Sequence, residues 1–369
     1  MKQLQDIAPG DDQPVLMERV LDYLRSHHGD IWSLLLDGRD EIDPERDVLQ
    51  DINDVIYCLY LLDWPVQPST VGVEALTRRI KSVNLAGGLN GQQAERTLSV
   101  HGTAYTLGAL ALLKTRGHDV FGEVLTPQSW SLDRLIDPAT LLPVWPAKWS
   151  HHTWRVSHWV GGSLAILHEL WRNMPEACEA HRAPAVGDVL QAVDGLIDER
   201  TGVLACYRSR LLQMAFRQAY RLRHDPLLGD IGGVVHVHWV NYAHRRPFKA
   251  GERLFDLARS AMLDRWPFME AVPYCLDFDV VQIVRASAPS DLPTRELGAL
   301  RTRATAYALD IKRFLSDELT ATYGLHKLPG ALATMHECVL INPSISLDDI
   351  GLSTGSGRPK DIMSEVAWL

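Results

Sequence analysis

The 369-residue sequence predicts an all-α protein, a single (α/α) toroid of helical hairpins in which an inner ring of helices is wrapped by an outer one. Two observations carry this expectation. Segments that are apolar on every side alternate along the chain with amphipathic, more charged ones; helices of the first kind are buried and those of the second lie at a surface. Period-two strands are nearly absent and no run of βαβ units occurs, which argues against a doubly wound sheet or a TIM barrel. The plainer alternative is an irregular α-helical globule.

Taken in order, residues 1–15 are polar and read as a flexible lead-in. Residues 16–36 place leucines and aromatics at three- and four-residue intervals, a helical period. The apolar set is 51–63, 99–114, 151–173, 230–243 and 274–286. Between these lie the amphipathic segments 71–83, 129–136, 186–197 and 250–263, and a charged helix follows at 295–315. Loops rich in Gly and Pro, such as 84–92 and 137–149, separate them. The apolar segments are too unevenly spaced for a solenoid of fixed period. The expected organisation is one toroidal catalytic domain over 16–340, followed by an irregular tail at 341–369.

Composition narrows the function. The chain carries 37 Lys and Arg against 46 Asp and Glu, a net charge of −9, where a dedicated nucleic-acid binder shows a basic excess. No apolar run reaches the ~18–20 residues that span a bilayer, and the start lacks the apolar core of a secretory signal. The five cysteines are scattered with no CxxC, which favours a reducing compartment, the cytoplasm, over a disulfide framework or a cysteine zinc site. Motifs for dinucleotides, P-loop phosphates, zincin metals and hydrolase elbows do not occur, so no cofactor and no metal are expected. The expected partner is a small-molecule or oligosaccharide substrate.

The inner segments share a feature that points to a site. Each carries His, Asp, Arg, Tyr or Trp near its start and turns purely apolar later. Buried ionisable groups are costly unless paired or facing a cavity, so such residues at one end of successive helices suggest a common funnel. His101 and Tyr105 stand four apart on one face; they read as a proton-transfer pair or as a solvated His above a core Tyr. His151, Arg155, His158 and Trp159 cluster at helical spacing, with Trp149 and Trp154 nearby. An Arg beside an imidazole and a flat ring suits an anionic sugar; the other reading is a His-rich loop before a core helix.

In 230–242, Asp230 precedes a Gly pair, then His236, His238, Trp239 and Tyr242. As a strand, His-x-His offers two metal ligands; as a helix, the two imidazoles point to different faces and His238 aligns with Tyr242. Asp230 then caps the helix or enters the cavity. Asp277 and Asp279 open another apolar segment, and two close carboxylates can part their pKa values into an acid and a base. Either is also an ordinary helix cap. Asp54 is a further inward carboxylate with the same two readings.

The alternating helices, the chain length and the Trp-rich inner ends resemble the α/α-toroid superfold of carbohydrate-active enzymes: unsaturated glucuronyl hydrolases, polysaccharide lyases and N-acylglucosamine 2-epimerases. The run Trp154-Arg155-Val156-Ser157-His158-Trp159-Val160-Gly161-Gly162 looks like the start of an inner helix in glucuronyl hydrolases. The resemblance implies the fold and a broad substrate class, an acidic or modified saccharide, and no catalytic assignment. On the residues themselves, hydrolysis, β-elimination or epimerisation is expected. Catalytic roles fall to His158, His236, His238, Asp277, Asp279 and Tyr105. Substrate contacts fall to Arg155, Trp159, Trp239, His101, Asp54, Asp230 and Tyr242. Two rivals stand beside this. Asp277-Phe278-Asp279 partly resembles the acid motif of class II terpenoid cyclases, which makes Asp279 the general acid of an isoprenoid cyclase; a non-catalytic binding or scaffold protein is the other.

Overall fold

The computed structural model describes residues 16–369 apart from 44–45, 146–152, 206–210, 212–213, 216–217, 220–224, 266 and 353–355, and apart from the side chains of Thr153, Arg155 and Pro226. Its helices are α1 (Leu16–His27), α2 (Gly29–Asp37), α3 (Leu49–Leu61), α4 (Thr70–Lys81) and α5 (Val100–Lys114). Next come α6 (Phe121–Val124), α7 (Thr153–Asn173), α8 (Pro175–Ala180), α9 (Val186–Asp194) and α10 (Pro226–Ala243). The rest are α11 (Gly251–Asp264), α12 (Cys275–Ala286), α13 (Thr294–Glu318), α14 (Leu328–Ile341) and α15 (Ile362–Glu365). The protein is all-α: among the described residues the only strand-like pairings are isolated bridges such as Asn84–Thr97 and Ile197–Leu204. None of the described helices is long and apolar enough to cross a membrane.

Local chemistry starts these helices where the sequence places them. Ser69 and Ser99 cap α4 and α5 by accepting from the amides of Gly72 and Gly102, each at 3.0 Å, which satisfies donors that the first turn leaves orphaned. Asp225 does the same for α10, and Pro329 opens α14. The segment 129–136 departs from its expected helix and forms two short 3₁₀ turns, Pro127–Ser129 and Leu132–Arg134.

Burial sorts the helices into two kinds. α3 is buried throughout from Ile52 to Leu61, α5 from Thr103 to Leu113 and α14 from Leu328 to Val339. By contrast α1 and α11 bury one face each, the latter through Leu254, Phe255, Ala258, Ala261 and Met262. The buried helices pack in a closed cycle: α3 on α5, α5 on α7, α7 on α10, α10 on α12, α12 on α14, and α14 back on α3. Amphipathic helices cover them, α9 against α7, α11 against α12, and α13 against α14. The sixth member, α14, extends an apolar series in which the sequence pattern marked five.

The segment 356–369 touches all six helices of the cycle. Lys360 N–H donates to His336 on α14 at 3.1 Å, and Asp361 accepts from Arg285 on α12 at 2.8 Å and from Tyr242 on α10. Ala367 N–H donates to Glu169 on α7 at 3.1 Å, and Tyr57 on α3 donates to the Trp368 carbonyl at 2.6 Å. The Trp368 indole, fully buried, lies 5.4 Å from His101 on α5. Residues 362, 363 and 366–369 are accordingly buried.

Two glycines let the cycle close tightly. A Cβ at Gly161 would sit 2.3 Å from the His236 Cβ and 2.9 Å from its backbone carbon; one at Gly232 would meet the Trp154 indole at 2.9 Å. Because the obstacles are the Cβ and backbone of His236, which no rotamer change moves aside, Gly161→Ala is expected to force α7 and α10 apart and cost about 1–3 kcal/mol. A drop in the urea midpoint at constant slope would register it; an unchanged midpoint would mean the two helices part freely.

Candidate active site

A cavity of about 390 Å³ opens where the N-terminal portions of α5, α7, α12 and α14 meet the middle of α10. Its walls include His101 and Tyr105 from α5, Trp154 and His158 from α7, and His236 and Trp239 from α10. Tyr274, Cys275 and Asp279 line it at the start of α12; Gly324, His326, Lys327, Pro329 and Gly330 line it around the start of α14, and Leu369 completes the set.

Three imidazoles form one cluster. His101 stacks on His158 with centroids 4.6 Å apart, and His158 meets His236 edge-on at 5.0 Å. The Trp368 ring stacks beneath His236 at 4.4 Å, and Ser157 Oγ lies 2.7 Å from His236 Nδ1. Burial, reinforced by the neighbouring imidazoles, lowers His101 to about 3 and His236 well below the ordinary value. Both are uncharged at neutral pH. Among the described residues no group of three or more His, Cys, Asp or Glu is arranged to hold a metal ion.

A fourth imidazole, His326, meets the His101 ring edge-on at 6.3 Å and has a different setting. His326 Nδ1 lies 2.9 Å from Asp54 Oδ1, which also accepts from the Tyr105 hydroxyl at 2.6 Å. Tyr105 in turn stacks on Tyr57 at 4.6 Å. Burial opposes the charged form of His326, but the hydrogen bond and charge of Asp54 outweigh it and raise its pKa. Burial raises Asp54 as well, against the pull of His326 and Tyr105. The pair therefore holds its shared proton more firmly than either group would alone. With Nδ1 engaged, Nε2 is the nitrogen that His326 offers to the cavity.

The two aspartates at the start of α12 have separate environments. Asp277 accepts from the amides of Met269 at 2.9 Å and Tyr274 at 2.8 Å, and from the Tyr307 hydroxyl. It is the third residue of the helix, its carboxylate closing a capping box on the N-cap Tyr274, and burial raises it to about 6 against those bonds. Asp279, two residues on and so turned away, lines the cavity, and its Oδ1 is buried without a partner. Burial first, then the Asp277 charge, raise its pKa well above the ordinary range. Asp279 is a neutral acid at the wall of the cavity.

Of the residues singled out in the sequence, His101, Tyr105, His158, His236, Trp239 and Asp279 thus line one cavity, with Asp54 directly behind Tyr105. Others lie elsewhere. The residues 226–243 form a helix, not a strand, so His238 faces away from His236 and lies 2.9 Å from Ser287 Oγ. Burial lowers it to about 4. Tyr242 belongs to a cluster in which Arg285 pairs with Glu337 and with Asp361 and donates to the Tyr242 hydroxyl at 2.9 Å. Asp230 is buried on α10, and Trp159 is half-buried outside the cavity lining. The Arg155 side chain, His151 and Trp149 lie outside the described residues.

The sequence reading missed His326, Lys327 and Trp368. A signal for the first two was present: His326-Lys327 precedes the apolar run Leu328-Pro329-Gly330-Ala331-Leu332-Ala333 in the same polar-then-apolar order as the other inner segments. No family model matches the chain, and neither a curated protein nor a solved structure does.

Proposed function

We propose that the chain is a cytoplasmic enzyme that moves protons on a small acidic or modified saccharide, by hydrolysis, β-elimination or epimerisation, inside an α/α toroid. One observation carries this: a carboxylate-held imidazole, His326 on Asp54, and an unpartnered neutral acid, Asp279, line the same cavity. Groups whose surroundings push their proton affinities apart are the usual division between base and acid. His326 Nε2 is the base and Asp279 the acid; the half-buried Trp154 offers a flat face on which a sugar ring stacks. The closed cycle of buried helices with a covering of amphipathic ones supports the toroid. A cavity of this size suits a ligand of one or two rings.

The apolar surroundings of Asp279 favour a second reading. A protonated carboxyl between Trp154, Trp239 and Tyr274 can protonate an alkene, and aromatic faces steady a carbocation. In that case the protein is an isoprenoid cyclase.

Incubation with uronate oligosaccharides and, separately, with isoprenoid diphosphates, followed by mass spectrometry of products, distinguishes the two. The saccharide reading predicts turnover of the first group with a bell-shaped pH dependence. Its acid limb follows loss of the His326 proton and its basic limb follows ionisation of Asp279. Cyclised hydrocarbon products would replace this reading by the cyclase, and no product from either group would remove both.

A further inference from the structure

We infer that Lys327 is the specificity-determining residue of the cavity, the cation that receives a single anionic group of the substrate. The inference rests on the reading of the cavity as an acid–base site for a saccharide, and names which residue makes that saccharide an acidic one.

Lys327 follows His326 in the one-turn 3₁₀ segment Leu325–Lys327, whose last amide donates to the Gly324 carbonyl at 3.0 Å. Pro329 stiffens the chain two residues after it. Lys327 is therefore the residue next to the proposed base in the chain, and it lines the same cavity. Three other lysines are held by carboxylates: Lys114 by Asp119 at 2.8 Å, Lys249 by Glu199 at 2.9 Å, and Lys360 by Asp63. Among the described residues no carboxylate pairs with Lys327, and the contact it makes is with the face of Tyr323, 5.9 Å from the ring centroid.

The rest of the wall leaves that charge unbalanced. His101 and His236 are held neutral by burial and Asp279 is held protonated, while the charges of His326 and Asp54 cancel within their pair. An ammonium without a carboxylate partner at the cavity favours a ligand that bears a negative charge. A carboxylate and a phosphate monoester share this chemistry; the carboxylate, with a single negative charge, is the better match for a single ammonium.

The test is calorimetric titration of the full-length protein with D-glucuronate, D-glucose and D-glucose 6-phosphate, repeated on Lys327→Gln and Lys327→Arg. The wild type is expected to bind glucuronate about 10- to 100-fold more tightly than glucose, the range of one charged hydrogen bond. Lys327→Gln should bind the two alike, and Lys327→Arg should recover part of the preference. Tighter binding of the phosphate than of the carboxylate would reassign the anion while keeping Lys327 as its anchor. A preference for glucuronate that survives in Lys327→Gln would overturn the inference and leave the saccharide reading standing. Saturable binding of none of the three sugars by the wild type would overturn both.

Discussion

Asp279→Asn is expected to lower turnover by about 10²- to 10⁴-fold, the range for losing a general acid, while the protein remains folded. The substitution conserves shape, and the side chain it replaces makes no hydrogen bond to a protein side chain that the fold would miss. An amide can still donate a hydrogen bond into the cavity but has no proton to give. A carboxyl buried in this way is unfavourable unless something it does compensates, so the variant should unfold no earlier than the wild type. The basic limb of the rate profile should vanish with the group that causes it. Turnover within a factor of three of the wild type would remove Asp279 from the chemistry and return the acid role to another wall residue.

The second large effect is on stability. Glu337→Ala is expected to cost about 3–5 kcal/mol, the range for breaking a buried ion pair from one side. The Glu337 side chain is 1% exposed and meets Arg285 with both carboxylate oxygens, one contact measuring 3.0 Å. Burial works against the Arg285 charge, and Glu337 and Asp361 outweigh it. With Glu337 gone, Asp361 and Tyr242 still attend the guanidinium, which places the cost toward the lower end of that range. Chemical unfolding gives the number directly, since the midpoint falls while the slope reports unchanged exposed area. A loss under 1 kcal/mol would mean that Asp361 alone suffices to neutralise Arg285.

What could be read from the sequence, and what could not, follows from how local each signal is. The inner helices are legible because burial on all sides writes itself into every residue of 52–61 or 103–113. His101 and His158, which line the cavity, are conspicuous in the sequence because each is a polar group near the head of an apolar helix. Asp277 and Asp279 show the limit. Their proximity in sequence suggests a pair, yet two residues on a helix are about 200° apart, and one became a cap while the other reached the cavity. The partner of Asp54 was not legible at all, because His326 lies 272 residues away and neither residue's neighbours record the other. The tail likewise looks irregular by composition. Its order comes from Glu169, Tyr57, Arg285 and Tyr242, each on a different or distant helix.

The Asp54–His326 contact is also the seam of the molecule. It lies where the first and last helices of the cycle, α3 and α14, come together. Contacts this distant in sequence form late, after the entropy of closing the intervening chain has been met. A molecule in which the other helices have docked is already compact and helical, yet its imidazole lacks the carboxylate that orients it. On the proposed function, His326 would gain the carboxylate that orients it as a base only once this seam has shut.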